Sequence, residues 1–360
     1  MIWLAWRQIR TQVFVVYGVL AVIAVALAVT GPNLVHLYDT TVVHCAKVGD
    51  CATAQLGLRH TDRLLQQIGL LVLVAPALIG MFWGAPLVAR ELETGTFRLS
   101  WTQSVTRTRW LTTKLLVVGL ASVAATGLLG LMVTWWSSPI DRVVGTPFSP
   151  SFFDRRDLVP IGYAAFAFAL GVTAGILIRR TLPAMAATLV AYIAVRFAML
   201  DWVRSRLMAP LRVVSAFNAN PGPSSSGGSG LNSADWVISQ QTLNRAGKVI
   251  GQNGGIGPNG SLGFNVSGNG RLIMTGVGTC PNRFVPPKGG SGRGIFSGSP
   301  SAQAVHAFQA CANRLGIKEV LTYQPISRYW PFQMYETAIF VALGLLLAGF
   351  CVWWVRRRLS

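Results

Sequence analysis

Two glycine-containing stretches have residue types found in nucleotide-binding motifs, and neither fits in detail. Gly247-Lys248 has the closing pair of a phosphate-binding loop, but Val249 follows where Ser or Thr is required, and Thr242 replaces the first glycine. Gly255-x-Gly257-x-x-Gly260 matches the dinucleotide fingerprint, yet Pro258 lies inside it and no strand-to-helix pattern surrounds it. We therefore expect that the chain does not hydrolyse ATP alone, and we attribute the fingerprint to chance.

Other catalytic patterns are missing from the sequence. It contains no HExxH, no GxSxG and no pair of carboxylates within an apolar run. A proton-coupled carrier normally has buried acids or histidines in its spans, whereas the ionisable residue found inside a predicted span is Arg196. We therefore expect a protein that is not an enzyme and has no cofactor.

Four of the five cysteines lie in segments predicted to be extracellular. Cys45 with Cys51 and Cys280 with Cys311 are the favoured disulfides among three possible pairings, and they indicate an oxidising compartment. Cys351 lies in an apolar span, where we expect a small packing residue. A metal site near the first pair is the alternative, but the spacing of nearby histidines matches no tetrahedral zinc pattern, so we expect no metal. These histidines are His36, His44 and His60.

The composition is typical of a membrane protein. Of the 360 residues, 52% are hydrophobic and only 12% are charged, whereas soluble domains carry about 25% charged residues. The net charge of +19 would suggest nucleic-acid binding in a soluble protein. Here the basic residues are densest in the segments predicted to be cytoplasmic, as the positive-inside rule requires. We therefore predict a lipid bilayer as the partner and no nucleic acid.

Six apolar runs approach the roughly 20 residues that a helix needs to cross the hydrocarbon core. The predicted spans are Val13–Val29, Ile68–Ala89, Leu115–Trp136, Leu158–Ile178, Leu182–Leu200 and Thr337–Val355. Residues 13–200 thus hold five spans, and residues 337–355 hold the sixth. Residues 1–12 predict an interfacial amphipathic helix, and Gly31-Pro32 is expected to end the first span. Residues 356–360 form a tail, and the charges place both termini in the cytoplasm and the protein in the cell membrane.

Residues 201–330 form the longest segment between two spans and are predicted to be an extracellular domain. Short apolar stretches between Asp235 and Val285 predict a small β-rich unit, and Ser301–Leu315 has helical spacing. Trp202–Val214 is amphipathic and is expected to extend the fifth helix, while Asn218–Gly230 has the composition of a linker. The predicted fold is an all-α polytopic membrane protein with six transmembrane helices and a mixed, loop-rich extracellular insertion between helices five and six.

The longest polar segment on the predicted cytoplasmic side is the loop of residues 90–114. Its acids come first and its bases last, which suits the dipole of a short helix. An ordinary basic inside loop is one interpretation, since the positive-inside rule alone would produce it. A docking helix for a soluble partner is the other. The candidate coupling residues are Arg90, Glu91, Glu93, Gly95, Thr96, Arg98, Arg107 and Lys114.

Two glycine pairs and one arginine inside the spans are further candidates. The pairs are Gly80 with Gly84 and Gly171 with Gly175. Their four-residue spacing allows two helices to approach closely. Arg196 is an intramembrane charge and is a functional candidate by default. It lies near the predicted outer end of its span, so snorkelling or a local ion pair with Asp201 is the favoured explanation.

The polar loop carries Glu91-x-Glu93-x-Gly95-Thr96, then Ser104-x-Thr106-Arg107, and Lys114 opens the next span. These residues resemble the first intracellular loop of type-2 ABC transporter permeases. The opening MIWLAWRQIR and the segment RYWPFQMYETAIF resemble the actinobacterial branch of that family. The resemblance implies an interfacial amino-terminal helix, a coupling helix in the loop and an extracellular insertion before the last span. The long insertion departs from the family, whose members often carry short re-entrant helices there.

By that resemblance, the chain is the membrane-spanning permease subunit of an ABC exporter. Two copies would pair as a homodimer and recruit two separate ATPase subunits at the coupling residues. The uncharged spans favour a hydrophobic or amphiphilic substrate. The competing hypothesis is a membrane-anchored extracellular binding or sensor protein without transport activity, which the size and predicted disulfides of the insertion support. The missing catalytic residues disfavour a membrane-embedded enzyme.

Overall fold

The structure is a computed structural model that describes residues 2–38, 69–95, 106–144, 147–217, 231, 234–252, 264–266, 271–274, 278–283 and 309–358. The chain divides into two compact units. Met1–Leu207 and Tyr329–Ser360 form the first, which we call the helical unit. Met208–Arg328 form the second, which we call the strand unit.

Six helices of the helical unit are long and apolar enough to cross a membrane, with candidate spans of 20 to 33 residues. They are α1 Ile2–Tyr38, α2 Gly69–Thr94, α3 Arg107–Val144, α4 Val159–Ile178, α5 Thr181–Ala198 and α6 Tyr329–Arg358. The prediction of six candidate spans is therefore confirmed within the described ranges.

The first helix is longer than the sequence predicts. It runs without a break over Ile2–Tyr38, because no proline or glycine interrupts its first turns. The candidate span Val13–Asn33 ends just beyond the predicted Gly31-Pro32, but the helix itself continues through both residues to Tyr38. Thr30 accepts a hydrogen bond from Trp136 Nε1 at 3.0 Å. This contact holds the later part of α1 against α3.

The predicted coupling loop of residues 90–114 is largely helical where the structure describes it. α2 continues to Thr94 and ends at Gly95, whose φ of +72° is in the left-handed region that favours glycine. α3 begins at Arg107. The acids therefore end one helix and the last bases begin the next, so the predicted short helix with acids first and bases last is wrong. Residues 96–105 lie outside the described part of the chain.

The fourth helix, α4, occupies the centre of the helical unit, where it packs against α2, α3, α5 and α6. Most of its side chains are buried, because apolar residues cover all its faces, as expected for a surrounded helix. Val172 and Ile176 of α4 share a core cluster with Val13, Val88 and Val355. The early part of α1, the end of α2 and the end of α6 therefore lie at the same end of α4.

The described residues of the strand unit form two antiparallel sheets. The strands are β1 Leu211–Ala216, β2 Trp236–Leu243, β3 Val249–Gln252, β4 Phe264–Val266, β5 Arg271–Met274, β6 Gly278–Arg283 and β7 Lys318–Gln324. One sheet has the order β1-β7-β2-β3 and the other β4-β5-β6. Leu321 of β7 lies opposite Val213 of β1 and Gln240 of β2. The first and last strands of the unit are thus hydrogen-bonded neighbours.

The connection from α5 to β1 differs from the predicted helical extension over Trp202–Val214. The helix continues as a π turn, Met199–Val203, and a 3-10 turn, Arg204–Arg206, and a strand begins at Leu211. The proline at position 210 explains the change, because the residue before a proline avoids helical backbone.

The rest of the insertion is a mixture of strands and helix in its described parts. β2 to β6 lie within the stretch between Asp235 and Val285 that was predicted to be β-rich. Residues 309–314, inside the predicted helix Ser301–Leu315, are helical, whereas residues 301–308 lie outside the described part. The predicted linker Asn218–Gly230 also lies outside it.

Candidate functional site

Glu91, in the last turn of α2, forms an ion pair with Lys114 of α3. Glu91 Oε1 and Lys114 Nζ are 2.5 Å apart, and the lysine side chain is only 5% exposed against 15% for the glutamate. Lys114 Nζ also lies 4.7 Å from the centroid of the Trp110 ring, within the range of a cation–π attraction. Because little water reaches the pair, salt screens it less than a surface pair. The pair fastens α2 to α3.

Glu93, two residues further along α2, contacts the start of α5. Its Oε2 accepts a hydrogen bond from the Thr181 backbone N–H at 3.0 Å and another from Thr181 Oγ1 at 2.7 Å. The first N–H groups of a helix have no partner inside the helix, and a carboxylate there interacts favourably with the helix dipole. Glu93 therefore connects the end of α2 to the start of α5.

Both carboxylates lie in a position that is unfavourable by itself. The carboxyl end of α2 carries the negative end of the helix dipole, where acids destabilise a helix. The ion pair with Lys114 compensates for the unfavourable position of Glu91, and the hydrogen bond from the Thr181 N–H compensates for that of Glu93. We call these four residues the α2 tie. It joins the last turn of α2 to two other helices at one end of the helical unit.

The α2 tie contains only part of the predicted coupling set. Arg90 is exposed, Gly95 ends α2, Arg107 begins α3, and Thr96 and Arg98 lie outside the described residues. Thr181 of the tie was not among the residues predicted from the sequence. The sequence did indicate a helix start at Thr181, because this threonine precedes an apolar run that has a proline in its first turn.

The two glycine pairs lie against each other between α2 and α4. A Cβ on Gly171 would overlap the carbonyl oxygen of Gly80, and a Cβ on Gly175 would lie 2.6 Å from the carbonyl oxygen of Ala85. A Cβ on Gly84 would lie 2.6 Å from the carbonyl oxygen of a residue of α4. Small residues allow this backbone contact in membrane helices. We call the contact of Gly80, Gly84, Gly171 and Gly175 the glycine seam.

Four charged residues and a tyrosine meet at the opposite end of α4. Arg196 Nη2 donates to Asp154 Oδ2 at 2.8 Å. Arg204 donates to Glu336 through Nε and Nη2, both at 2.9 Å, and also contacts Asp154. The Tyr163 hydroxyl donates to Glu336. No member is more than 7% exposed, so we call these five residues the buried ionic cluster.

The π turn Met199–Val203 helps to bring both arginines to the same carboxylates. Arg196 and Arg204 are eight residues apart, which corresponds to about 80° around an α-helix. A π turn closes on i→i+5 bonds and holds more residues per revolution, so it reduces that angle. Such turns are frequent at functional sites. The π turn thus helps Arg196 and Arg204 to face the same carboxylates in the buried ionic cluster.

The predicted partner of Arg196 is wrong. Asp201 is exposed, whereas Arg196 is buried against Asp154. Residues five apart lie about 140° around an α-helix, so Arg196 and Asp201 do not face each other. The sequence did contain a signal, because Asp154 and Glu336 each lie close to an apolar run. A carboxylate in that position can reach a buried arginine of a neighbouring helix.

Among the described residues, no group of three or more His, Cys, Asp or Glu could hold a metal ion. Cys351 is a free, buried thiol whose Sγ lies 3.2 Å from Thr173 Oγ1. Cys311 is disulfide-bonded. Cys45, Cys51 and the side chain of Cys280 lie outside the described part of the chain, so the two proposed pairings remain predictions.

Comparison with known proteins identifies one family. The family model for "ABC-2 membrane transporter related" proteins matches residues 17–204, just over half of the 360 residues. The match covers most of α1, all of α2 to α5, the α2 tie and the glycine seam. The comparisons with curated proteins and with solved structures gave no match. The chain is therefore a multi-pass membrane protein that belongs to the ABC-2 membrane transporter related family, within the type-2 ABC transporter permeases.

Proposed function

We propose that this chain is the membrane-spanning permease subunit of an ABC exporter, which forms the substrate path and is driven by a separate ATPase subunit. Permeases of this family typically lack an ATPase of their own and normally work with an ABC ATPase. The observation that carries the proposal is the α2 tie. It links the polar connection between α2 and α3 to the core of the helical unit.

The α2 tie offers a physical route from the ATPase to the helices. A partner that displaces the connection between α2 and α3 also displaces the last turn of α2. Glu91 passes that movement to α3 through Lys114, and Glu93 passes it to α5 through Thr181. Closure of the ATPase would thus tilt three helices together and alternate access to the substrate path.

The glycine seam makes α2 and α4 move as one body. Their backbones touch at Gly80 and Gly171 with no flexible side chain between them. Packed interfaces of this kind shift between discrete arrangements rather than deforming gradually. A movement of α2 therefore reaches α4, and through α4 it reaches α6.

We place the α2 tie at the cytoplasmic face, with both termini cytoplasmic and the strand unit extracellular in the cell membrane. Basic residues support this orientation: Arg109 near the start of α3, Arg179-Arg180 after α4 and Arg356–Arg358 at the end of α6. An extracellular strand unit also suits the predicted disulfides. The remaining coupling candidates, Arg90, Gly95, Thr96, Arg98 and Arg107, would then meet the ATPase.

Two copies of the chain are proposed to pair, each with one ATPase subunit. The substrate proposed is a hydrophobic or amphiphilic molecule, because the spans expose apolar side chains and keep their charges in buried pairs. Such a molecule could reach the path from the bilayer itself.

Purification of the chain from its native membrane in mild detergent tests this proposal. We expect an ATPase with a Walker A motif to co-purify in equal amount, and the complex to hydrolyse ATP in proteoliposomes. A folded chain that carries no nucleotide-hydrolysing partner would contradict the proposal.

Exchange of charges across the α2 tie tests the coupling role. Glu91→Ala with Glu93→Ala is expected to leave membrane insertion and the bound ATPase intact while ATP hydrolysis becomes uncoupled from the permease. Glu91→Lys with Lys114→Glu keeps an ion pair at this place and is the matched control. Coupling that survives in the double alanine variant would count against the role of the α2 tie.

A membrane-anchored extracellular binding or sensor protein is the second candidate. The strand unit favours it, since this segment is compact and has sheets of its own. Replacing residues 208–328 by a Gly/Ser linker separates the two functions. An exporter would keep permease-dependent ATP hydrolysis, whereas a sensor would lose all function.

A further inference from the structure

A groove on α6 takes no part in the proposed function. It is open to its surroundings, is lined by Ala342, Leu345, Leu346, Gly349, Phe350 and Trp353, and has a volume of about 610 Å³. Leu345 and Leu346 are 68% and 70% exposed. A Cβ on Gly349 would have no neighbour within 4 Å. Gly349 therefore leaves an apolar notch between larger side chains.

The groove leads to two arginines. Its residues recur at steps of three and four, which places them on one face of the helix. The next positions on that face after Trp353 are Arg356 and Arg357, both exposed. The Arg357 guanidinium lies 5.8 Å from the centroid of the Trp353 ring. From Ala342 to Trp353 the groove is about 17 Å long, from the helical rise, and it ends next to the positive charges of Arg356 and Arg357.

This arrangement matches one leaflet of a bilayer. Tryptophan prefers the membrane–water interface. Trp353 would therefore lie on the hydrocarbon side of the lipid headgroups, and the arginines would lie among the headgroups. The groove length is close to the roughly 15 Å of hydrocarbon in one leaflet, half of the bilayer core. Guanidinium groups bind phosphate oxygens in a fixed fork geometry. Glu336, the acid of α6, lies near the other end of the helix.

We propose that this groove binds an anionic phospholipid, with one acyl chain along Leu346, Gly349 and Trp353 and the phosphate on Arg356 and Arg357. The inference goes beyond the proposed function and needs only that α6 crosses the membrane. A second copy of the chain fits less well. Two parallel copies meeting at this face would bring their arginine triplets together, and like charges repel.

Native mass spectrometry of the full chain tests the proposal. The chain is purified in neutral detergent and mixed with equal amounts of phosphatidylglycerol and phosphatidylcholine that carry the same acyl chains. We expect the chain to retain phosphatidylglycerol preferentially. Arg356→Gln and Arg357→Gln should each weaken that retention about fivefold, from the usual attraction between one basic residue and an anionic surface. Gly349→Leu, which fills the notch, should also lower it.

Two variants are matched controls. Arg179→Gln with Arg180→Gln removes two exposed arginines elsewhere, and Gly18→Leu fills a glycine on α1 that also has open space around it. Both should retain phosphatidylglycerol as the unmodified chain does. An undiminished preference after loss of Arg356 and Arg357, or equal losses in Gly349→Leu and Gly18→Leu, overturns the proposal. The proposal is also overturned if Gly349→Leu converts a dimer to a monomer while the retained phosphatidylglycerol is unchanged.

Discussion

The two ends of α4 hold charge in different ways. At one end, the buried ionic cluster removes two acids and two arginines from water and pairs them with one another. At the other end, the α2 tie buries one lysine, while Glu91 is partly exposed and Glu93 is exposed. Opening the cluster would leave charges unpaired away from water, which is costly. When the tie opens, water can replace many of the hydrogen-bond partners that its side chains lose. We infer that the cluster end is the fixed end of the permease and the tie end is the mobile one.

Arg204→Met should cause the largest loss of stability, because it removes one of the two cations of the buried ionic cluster. Asp154 and Glu336 would then share Arg196 alone, and removal of one partner from a buried pair costs about 3–5 kcal/mol. The measurement is the fraction of folded chain that survives heating in detergent. Arg206→Met is the control, since Arg206 is two residues away and exposed. Equal losses in both variants would show that the cluster is not a special stabilising feature.

Gly171→Ala should destabilise the region between the two ends. The added Cβ would overlap the Gly80 backbone, and overpacking of this kind costs about 1–3 kcal/mol. Gly18→Ala, whose Cβ would meet nothing within 4 Å, should instead stabilise the chain by up to about 1 kcal/mol through helix propensity. Thermal unfolding of both variants measures the difference. Changes of the same sign would argue against backbone contact at the glycine seam.

Glu91→Ala should have a smaller effect than Arg204→Met. It leaves Lys114 buried without its carboxylate, at a cost of about 2 kcal/mol for an unsatisfied buried group. The nearby Trp110 ring and water compensate in part. Heating in detergent is again the measurement, with Glu91→Lys plus Lys114→Glu expected to recover most of the loss. A loss as large as that of Arg204→Met would remove the distinction between the two ends.

Glu319→Gln should have the smallest effect on stability. It tests a buried acid whose hydrogen-bond partner is an amide, in contrast to the arginine-paired acids of the cluster. Glu319 of β7 is buried, and burial raises its pKa, although the hydrogen bond from Gln240 opposes the shift. The folded state therefore binds the proton more tightly than the unfolded state. Its contribution to stability is fully present below the ordinary glutamate pKa and is lost as the pH rises through the folded-state pKa.

The amide variant has no such loss, so β2 and β7 should exchange their amide hydrogens more slowly than in the unmodified chain at neutral pH. The difference should vanish in acid, after correction for intrinsic exchange rates. Hydrogen exchange of the full chain between acidic and neutral pH provides the measurement. A difference that is the same at every pH would contradict the assigned cause.

The spans were predictable because about 20 apolar residues leave a helix few alternatives in a bilayer. The spacing of Gly80 with Gly84 and of Gly171 with Gly175 also drew attention to the helices that pack most closely. What could not be predicted is which polar side chains meet. Such pairs depend on contacts between residues far apart in sequence.

The buried ionic cluster illustrates that limit. Asp154 and Arg204 are 50 positions apart, and Arg204 and Glu336 are 132 apart. Local spacing pointed to Asp201 as the partner of Arg196, because only nearby charges could be considered. Likewise, the helical ends at Thr94 and Arg107 were hidden by polar residues, since length alone does not say where a helix leaves the membrane.

The most direct test of the account is the exposure of the α2 end to each side of the membrane. Thr94→Cys, at an exposed position next to the α2 tie, and Trp330→Cys, at the start of α6, are labelled with a maleimide that cannot cross membranes. We expect labelling of the Thr94 variant only in inverted vesicles, with protection by the bound ATPase, and of the Trp330 variant only in intact cells. Labelling of the Thr94 variant in intact cells would contradict this expectation.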